Sequence, residues 1–494
     1  MGVQRMKMDG LRKNTIFIKG VWREAEDGKY EAVLNPATLE HIMSFSYGNG
    51  KDAKLAVQAA KEALPIWSDK TARERSAFLY KAYQLMMERQ EELAVILTTE
   101  QGKPLAEAKG EIASAASYLL WYAEEANRIY GEIIPSSSKG KRLFTVPKPI
   151  GVIAAITPWN FPCSMIARKL GPALAAGCTV VLKPAEQTPL SAVELVKIFE
   201  EAGLPEGVLN LVTGDAAAIG EVWMDEPDVR LITFTGSTEV GKHLMRGSAA
   251  NVKKLSLELG GHAPILVFED ADIEQAVRLS LMSKFRNAGQ TCICANRIYV
   301  HQSIHNQFVK RLVEKVKQMK LGNGLQNGTE IGPLIDNNAL KKVESHVQDA
   351  VNKGASLTAG GKRPSLLKDL KGFYYEPTVL TGITDDMKLM KEETFGPVLP
   401  IQSFVNEEEA IEKANQTSYG LAAYIFTENI NRAWRVMEKL EYGIIGINDV
   451  FPAAAEAPFG GIKQSGQGKE GGREGIMEYV EMKYISMGLK ESKA

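Results

Sequence analysis

From about residue 150 the chain repeats one unit, a short β-branched run closed by Pro, Gly, Ser or Thr and followed in several cases by a helical segment. The runs are GVIAAIT, CTVVLKP, VLNLVTG, VRLITFTG and APILVF, and SAVELVKIFEEAG and STEVGKHLMRGSAA are two of the segments between them. Strands alternating with helices predict an α/β fold with a mainly parallel sheet covered on both faces. Ligands of such sheets sit at the carboxyl ends of strands, which singles out Trp159 with Asn160, Lys183 to Glu186, and Gly236 with Ser237. A second α/β region is expected after Glu258, with ADIEQAVRLSLMSKF and HNQFVKRLVEKVKQM helical and RIYVH a strand.

Upstream, Asp52 is placed to cap the helical stretch AKLAVQAAKEAL. Thr71 and Glu74 form a capping-box pattern ahead of one long helix with Phe78, Ala82, Leu85, Met86, Leu93, Ile96 and Leu97 on its core face. RIYGEIIPSSSKGKRLFTVPKP and EYVEMKYISMGL alternate like strands although they lie far apart. A strand needs a neighbour, so these two segments are expected to form a protruding sheet used in oligomerisation.

A length of 494 residues calls for two or three domains. With 59 Lys+Arg against 60 Asp+Glu, the balance argues against nucleic acid as a partner. The first twenty residues hold no apolar leader core and no small-residue cleavage site, and no run is long and apolar enough to span a membrane. Four cysteines do not make a disulfide framework, which points to a reducing, cytoplasmic setting. His301 and His305 have no Cys or carboxylate cluster around them in sequence, so a solvated helix start is expected there and no metal site.

Cys292 lies in FRNAGQTCICANR, a polar, glycine-containing stretch after a helical pattern. A cysteine attacks only as thiolate, and an isolated one is more often an inert buried thiol, the reading kept for Cys163 and Cys178. Cys292 is distinguished by the company it keeps. KLSLELGG puts Glu258 at a strand end, ITPWNFP puts Asn160 just after another, EETFGPV carries Glu393 and Phe395, and KPAEQTP carries Lys183 and Glu186. In this order the stretches resemble the aldehyde dehydrogenase superfamily from about residue 35 to residue 485, with the succinate-semialdehyde dehydrogenase-like subfamily the best match.

That resemblance implies a Rossmann-type NAD-binding domain (1–126 and 150–258), an α/β catalytic domain (259–470) and a small β oligomerisation domain (127–149 and 471–494), assembled as a homodimer or homotetramer. It makes Cys292 the nucleophile, Glu258 the general base, Asn160 an oxyanion donor and Glu470 a second carboxylate for proton relay, with a solvated surface position the competing reading for Glu470. A carboxylate matching Glu258 favours hydrolysis of the thioester over transfer to CoA. Ile156, Trp159, Asn160, Lys183, Glu186, Gly214, Phe234, Gly236, Ser237, Gly241, Leu259, Glu393 and Phe395 fall at cofactor positions.

No well-placed G-x-G-x-x-G is present, so FTGSTEVGK is expected to turn the amides around Gly236 and Gly241 toward a pyrophosphate. Read as a P-loop, G-x-x-x-x-G-K from Gly236 to Lys242 fails because His243 stands where Ser or Thr should bind Mg²⁺. Glu186 would accept bonds from ribose hydroxyls and repel a 2′-phosphate, which favours NAD over NADP. Arg168 and Arg286 match arginines that hold a distal carboxylate, while Phe459 walls the pocket. The implied substrate is an ω-carboxylated aldehyde, succinate semialdehyde first. Ala453 stands where a substrate-binding serine is often found, which leaves glutarate and 2-oxoglutarate semialdehydes open. Cys294, two residues past Cys292, raises the possibility of a C-x-C redox switch.

Overall fold

The computed structural model describes residues 13–364 and 371–490, and the opening segment read above for a leader lies largely outside them. Two large sheets carry the fold. The first has eight strands, in the spatial order Gly466–Gln467, Lys254–Glu258, Val229–Thr235, Val152–Ile156, Thr179–Lys183, Leu209–Leu211, Ile16–Ile18 and Val21–Arg23. Its five central strands are parallel, and antiparallel strands close both edges. Thr179–Lys183 is buried at every position, as a strand covered by helices on both faces must be. Each fully buried Val, Leu or Ile there contributes about 1.5–3 kcal/mol.

The second sheet runs Ser356–Ala359, Thr378–Thr381, Val398–Phe404, Ala295–His301, Ala263–Val267, Ala422–Phe426 and Ile444–Ile447. APILVF belongs here, paired with Ala295–His301 and Ala422–Phe426, so the chain crosses between sheets directly after Glu258. It returns at Gly466–Gln467, which pairs antiparallel with Leu257 and Glu258. The two distant alternating segments do pair: Val480–Gly488 runs antiparallel to Lys141–Pro149, with Ile133–Ile134 beyond.

Three local expectations need correction. Asp52 is not the cap of its helix; Asn49 is, and the Asp52 carboxylate closes the capping box from the third helical position by accepting the Asn49 N–H at 3.0 Å. The long helix opened by Thr71 and Glu74 is two, Ala72–Glu88 and Gln90–Gln101. They break at Arg89, whose guanidinium reaches Glu92 and, at 2.8 Å, Glu194. His301 ends a strand while His305 opens the next helix, so the two do not share a helical face.

Candidate active site

The parallel strands of the first sheet reverse their order between Val152–Ile156 and Val229–Thr235, leaving a crevice at their carboxyl ends. Trp159 and Asn160 emerge from the first of these strands, and Gly236 and Ser237 from the second. The second sheet meets the same crevice with its amino ends. Cys292 precedes Ala295–His301, and Glu393 and Phe395 precede Val398–Phe404.

The turn before Cys292 is strained. Asn287 (φ 50°), Ala288 (φ 55°) and Gly289 (φ 76°) are consecutive left-handed residues, a conformation that costs a non-glycine residue about 1–3 kcal/mol. Side chains hold it in place. Gln101 donates to Asn287 Oδ1 at 2.9 Å, Asn287 Nδ2 donates to the Asn160 carbonyl at 3.0 Å, and Gln290 Oε1 accepts the Ile335 N–H at 2.9 Å. Glycine is required at 289, where a Cβ would stand 2.2 Å from the Gly396 carbonyl oxygen.

Half-buried Cys292 lies on the wall of two cavities. One, of about 360 Å³, is lined by Trp159, Asn160, Ser237, Glu393 and Phe395 among others. The other, of about 340 Å³, is lined by Phe161, Arg168, Arg286, Phe451, Ala453 and Phe459 with their neighbours. Burial pushes the Cys292 thiol up to about 12, against the pull of the Arg168 charge.

Asn160 is anchored from below. Its amide nitrogen donates to the Gln290 carbonyl at 3.1 Å, and its backbone carbonyl accepts from Lys103 Nζ at 2.7 Å. Lys103 is buried and ion-paired with Glu111, which also accepts the Cys163 N–H at the start of the next helix. Glu258 is 3% exposed, yet neither carboxylate oxygen has a hydrogen-bond partner among the described residues. Gly460 permits this, since a Cβ there would lie 2.6 Å from Glu258 Oε1. Burial, and next the Glu470 charge, raise the Glu258 carboxyl well above the usual range. Glu470 is not a solvated surface group. It is 2% exposed and ion-paired with Lys169, whose ammonium also donates to Thr235 Oγ1 at 2.7 Å.

A cysteine thus stands at the seam of two cavities, within electrostatic reach of a buried carboxyl and on one wall with a fixed amide. The profile described as Aldehyde dehydrogenase family matches residues 22–485. The chain belongs to the aldehyde dehydrogenase family. It is 52% identical to 3-sulfolactaldehyde dehydrogenase of Pseudomonas putida over 98% of this chain and 99% of the relative. It is 50% identical to glutarate-semialdehyde dehydrogenase of Pseudomonas putida (98% and 100%), and 49% identical to the NADP(+) succinate-semialdehyde dehydrogenase of Escherichia coli (98% and 100%). Betaine aldehyde dehydrogenase of Staphylococcus aureus, solved in complex with NAD+, superposes with a TM-score of 0.97 at 38% identity, covering 100% of this chain and 99% of that one. The fold class read from the sequence is therefore correct, and the protein is an oxidoreductase of aldehydes that uses NAD(P).

The residues that the sequence places at cofactor positions of this aldehyde dehydrogenase fall into two groups. Trp159, Asn160, Gly236, Ser237, Leu259, Glu393 and Phe395 line the cavity beside Cys292. The Trp159 and Phe395 rings meet edge to face at 5.6 Å, and Phe395 holds a left-handed φ of 53°. Glu393 accepts the Gly261 N–H through Oε1 at 3.1 Å, and no protein donor among the described residues meets Oε2. A half-buried carboxylate with a spare acceptor on a cavity wall suits the hydroxyl donors of a dinucleotide ribose.

The second group sits farther along the sheet. Ile156 and Phe234 end adjacent strands, and Lys183 donates to Glu186 at 2.8 Å. Gly214 is needed where the chain passes Gly48, because a Cβ would meet that carbonyl oxygen at 2.2 Å. Gly241 does not have the role expected of it. Its N–H donates to the Ser237 carbonyl inside the helix Thr238–Ser248, and a Cβ would lie 2.5 Å from the Leu259 side chain, so it serves helix packing.

Cys294 is also placed differently. It is 1% exposed, and its thiol donates to the Gly289 carbonyl at 3.3 Å, away from both cavities. A Cys292–Cys294 disulfide would require that buried contact to break. Sequence reading missed Lys103, Lys169, Thr291, Phe161 and Phe451, all in or directly behind the site. Lys169 could have been suspected as the neighbour of Arg168; Lys103 carried no local signal.

Proposed function

We propose that the protein oxidises an ω-anionic aldehyde to the acid, succinate semialdehyde first, with NAD as the preferred cofactor. One observation carries this reading: two arginines face the cavity beyond Cys292 without the partners such charges normally have. Arg286 has no carboxylate within 4 Å and no side-chain hydrogen bond among the described residues. Arg168 is 5% exposed, its Nε and NH1 lack hydrogen-bond partners, and its only carboxylate within 4 Å is Glu470 at 3.9 Å. Buried cations left with spare donors favour a ligand that brings an anion.

The residues then divide the chemistry. The Cys292 thiolate bonds to the aldehyde carbon, and the Asn160 amide with the Cys292 N–H receives the negative oxygen. A bound nicotinamide dinucleotide supplies the acceptor for the hydride that leaves, and a thioester remains on Cys292. Glu258 takes a proton from the water that attacks this thioester, and Glu470 with Lys169 sets the charge around it. Cys292 rests as a thiol in the buried site, so its ionisation has to be driven on binding.

The Glu186 carboxylate, beside the ribose position implied by the resemblance, supports NAD over NADP, and its pairing with Lys183 fixes its orientation. Ala453, small where a serine is often found, supports longer semialdehydes such as glutarate or 2-oxoglutarate semialdehyde as alternatives. The relative that acts on 3-sulfolactaldehyde supports a sulfonate as a second reading of the anion. Four free cysteines support a cytoplasmic setting. Exposed Ile133, Met482, Tyr484 and Met487 on the small sheet support a homodimer or homotetramer joined there.

A panel of succinate, glutarate, sulfonated and plain alkyl aldehydes, assayed with NAD and NADP, tests the reading. The anionic aldehydes should exceed the alkyl ones by about 10- to 100-fold in kcat/KM, the worth of one charge-assisted contact. Equal efficiency on alkyl aldehydes would remove the role given to Arg168 and Arg286.

A further inference from the structure

The arginine-lined cavity also contains a carboxyl that the chemistry above does not use. Glu107, in the first turn of the helix Leu105–Glu125, lines this cavity and also an adjoining one of about 720 Å³. Arg286 and Phe451 are shared by the two cavities in the same way, so these three residues stand where the cavities adjoin. Glu107 Oε2 accepts the N–H of Asn287 at 2.8 Å, which fixes the carboxyl beside the residue that follows Arg286. No Lys or Arg lies within 4 Å of it among the described residues, and no donor meets its other oxygen. An acid with no cation within 4 Å among the described residues thus stands on the wall of the cavity that also carries Arg168 and Arg286.

We propose that Glu107 is a charge-selecting residue of the substrate cavity, which admits the remote anion of an aldehyde to the arginines when its own carboxyl is neutral and opposes it when ionised. This rests on the anionic-substrate reading given above. Two like charges about 10 Å apart at an effective dielectric of about 20 repel enough to weaken binding about tenfold. Burial pushes the Glu107 carboxyl up to about 7, with Lys103, the Asn287 amide and Arg286 pulling the other way and Glu111 adding to the rise.

The charges around it do not supply an alternative switch of the same kind. Lys103 is held by Glu111, and Lys315 pairs with Glu274. Arg278 also lines the outer cavity, and Glu330, on the same wall, accepts the Lys320 N–H. The sign follows: Glu107 is protonated below about pH 7, where the anion binds well, and ionised above it, where binding weakens.

Butanoate, ionised throughout, and neutral butanamide are unreactive probes of the cavity, and their binding to the full chain with its dinucleotide can be followed by calorimetry between about pH 6 and about pH 8. Butanoate affinity should fall about fivefold across that range while butanamide stays level. Glu107→Gln keeps an acceptor for the Asn287 N–H and should hold butanoate at its tighter affinity at both ends. Proton uptake by the unaltered protein on binding butanoate, read from two buffers of different ionisation heat, tests the point even if that variant does not fold. A level butanoate profile, a slope that survives Glu107→Gln, or binding without proton uptake would each overturn the proposal. If butanoate and butanamide bind equally at about pH 6, the anionic-substrate reading fails instead.

Discussion

The two cavities that meet at Cys292 are built from opposite ends of their frameworks and are finished differently. The one assigned to the dinucleotide takes Trp159, Asn160, Gly236 and Ser237 from carboxyl ends of strands in the first sheet. Its Glu393 carboxyl is fixed through one oxygen by the Gly261 amide, with the other oxygen left for a ligand. The other takes Arg168 from a helix, Arg286 from a strained turn and Ala453 and Phe459 from a loop, and it leaves guanidinium nitrogens without partners. A surface that meets one invariant ligand can be completed in advance. A surface that must select among aldehydes keeps its strongest groups unspent until the right anion arrives.

The division can be broken most severely at the seam. Cys292→Ala should remove NADH formation and ester hydrolysis together, by about four orders of magnitude or more, since both cavities converge on that sulfur. Retention of most of the turnover would mean that the junction is not where the reaction happens. A paired comparison sharpens the boundary. Arg286→Ala should raise KM about 10- to 100-fold for anionic aldehydes and leave alkyl aldehydes unchanged. Glu393→Gln should raise KM for the dinucleotide about fivefold and leave aldehyde KM alone. Crossed effects would show that the cavities are coupled.

The smallest expected effect is a pH shift. Glu470 raises the Glu258 carboxyl, and the Lys169 charge freed by Glu470→Gln would lower it further. The acid limb of kcat should therefore move to lower pH in the pH profile of that variant. An unmoved limb would separate Glu470 from the base.

How much of this was legible beforehand depended on how local each signal was. Thr71 and Glu74 announced a helix start because their bonds span three residues. Asp52 misled because a box has two acceptors, and only the backbone of Asn49 decides which residue is the cap. Gly241 completed a phosphate-loop spelling, but the helix begins at Thr238 and draws its amide inward. Cys292 and Cys294 are neighbours in sequence, yet the intervening turn gives one to the cavities and the other to the core.

The sequence by itself determined the parallel α/β framework and the family, and it named the side chains proposed to carry the chemistry, because periodicity and short motifs are written in consecutive residues. Only the tertiary structure decided that Glu258 lies beside Gly460 without hydrogen-bond partners among the described residues, that Lys103 holds the Asn160 loop, and that Glu107 shares two cavity walls with Arg286. Those relations depend on charges and backbones from distant segments meeting in a medium of low dielectric, where an absent partner counts as much as a present one.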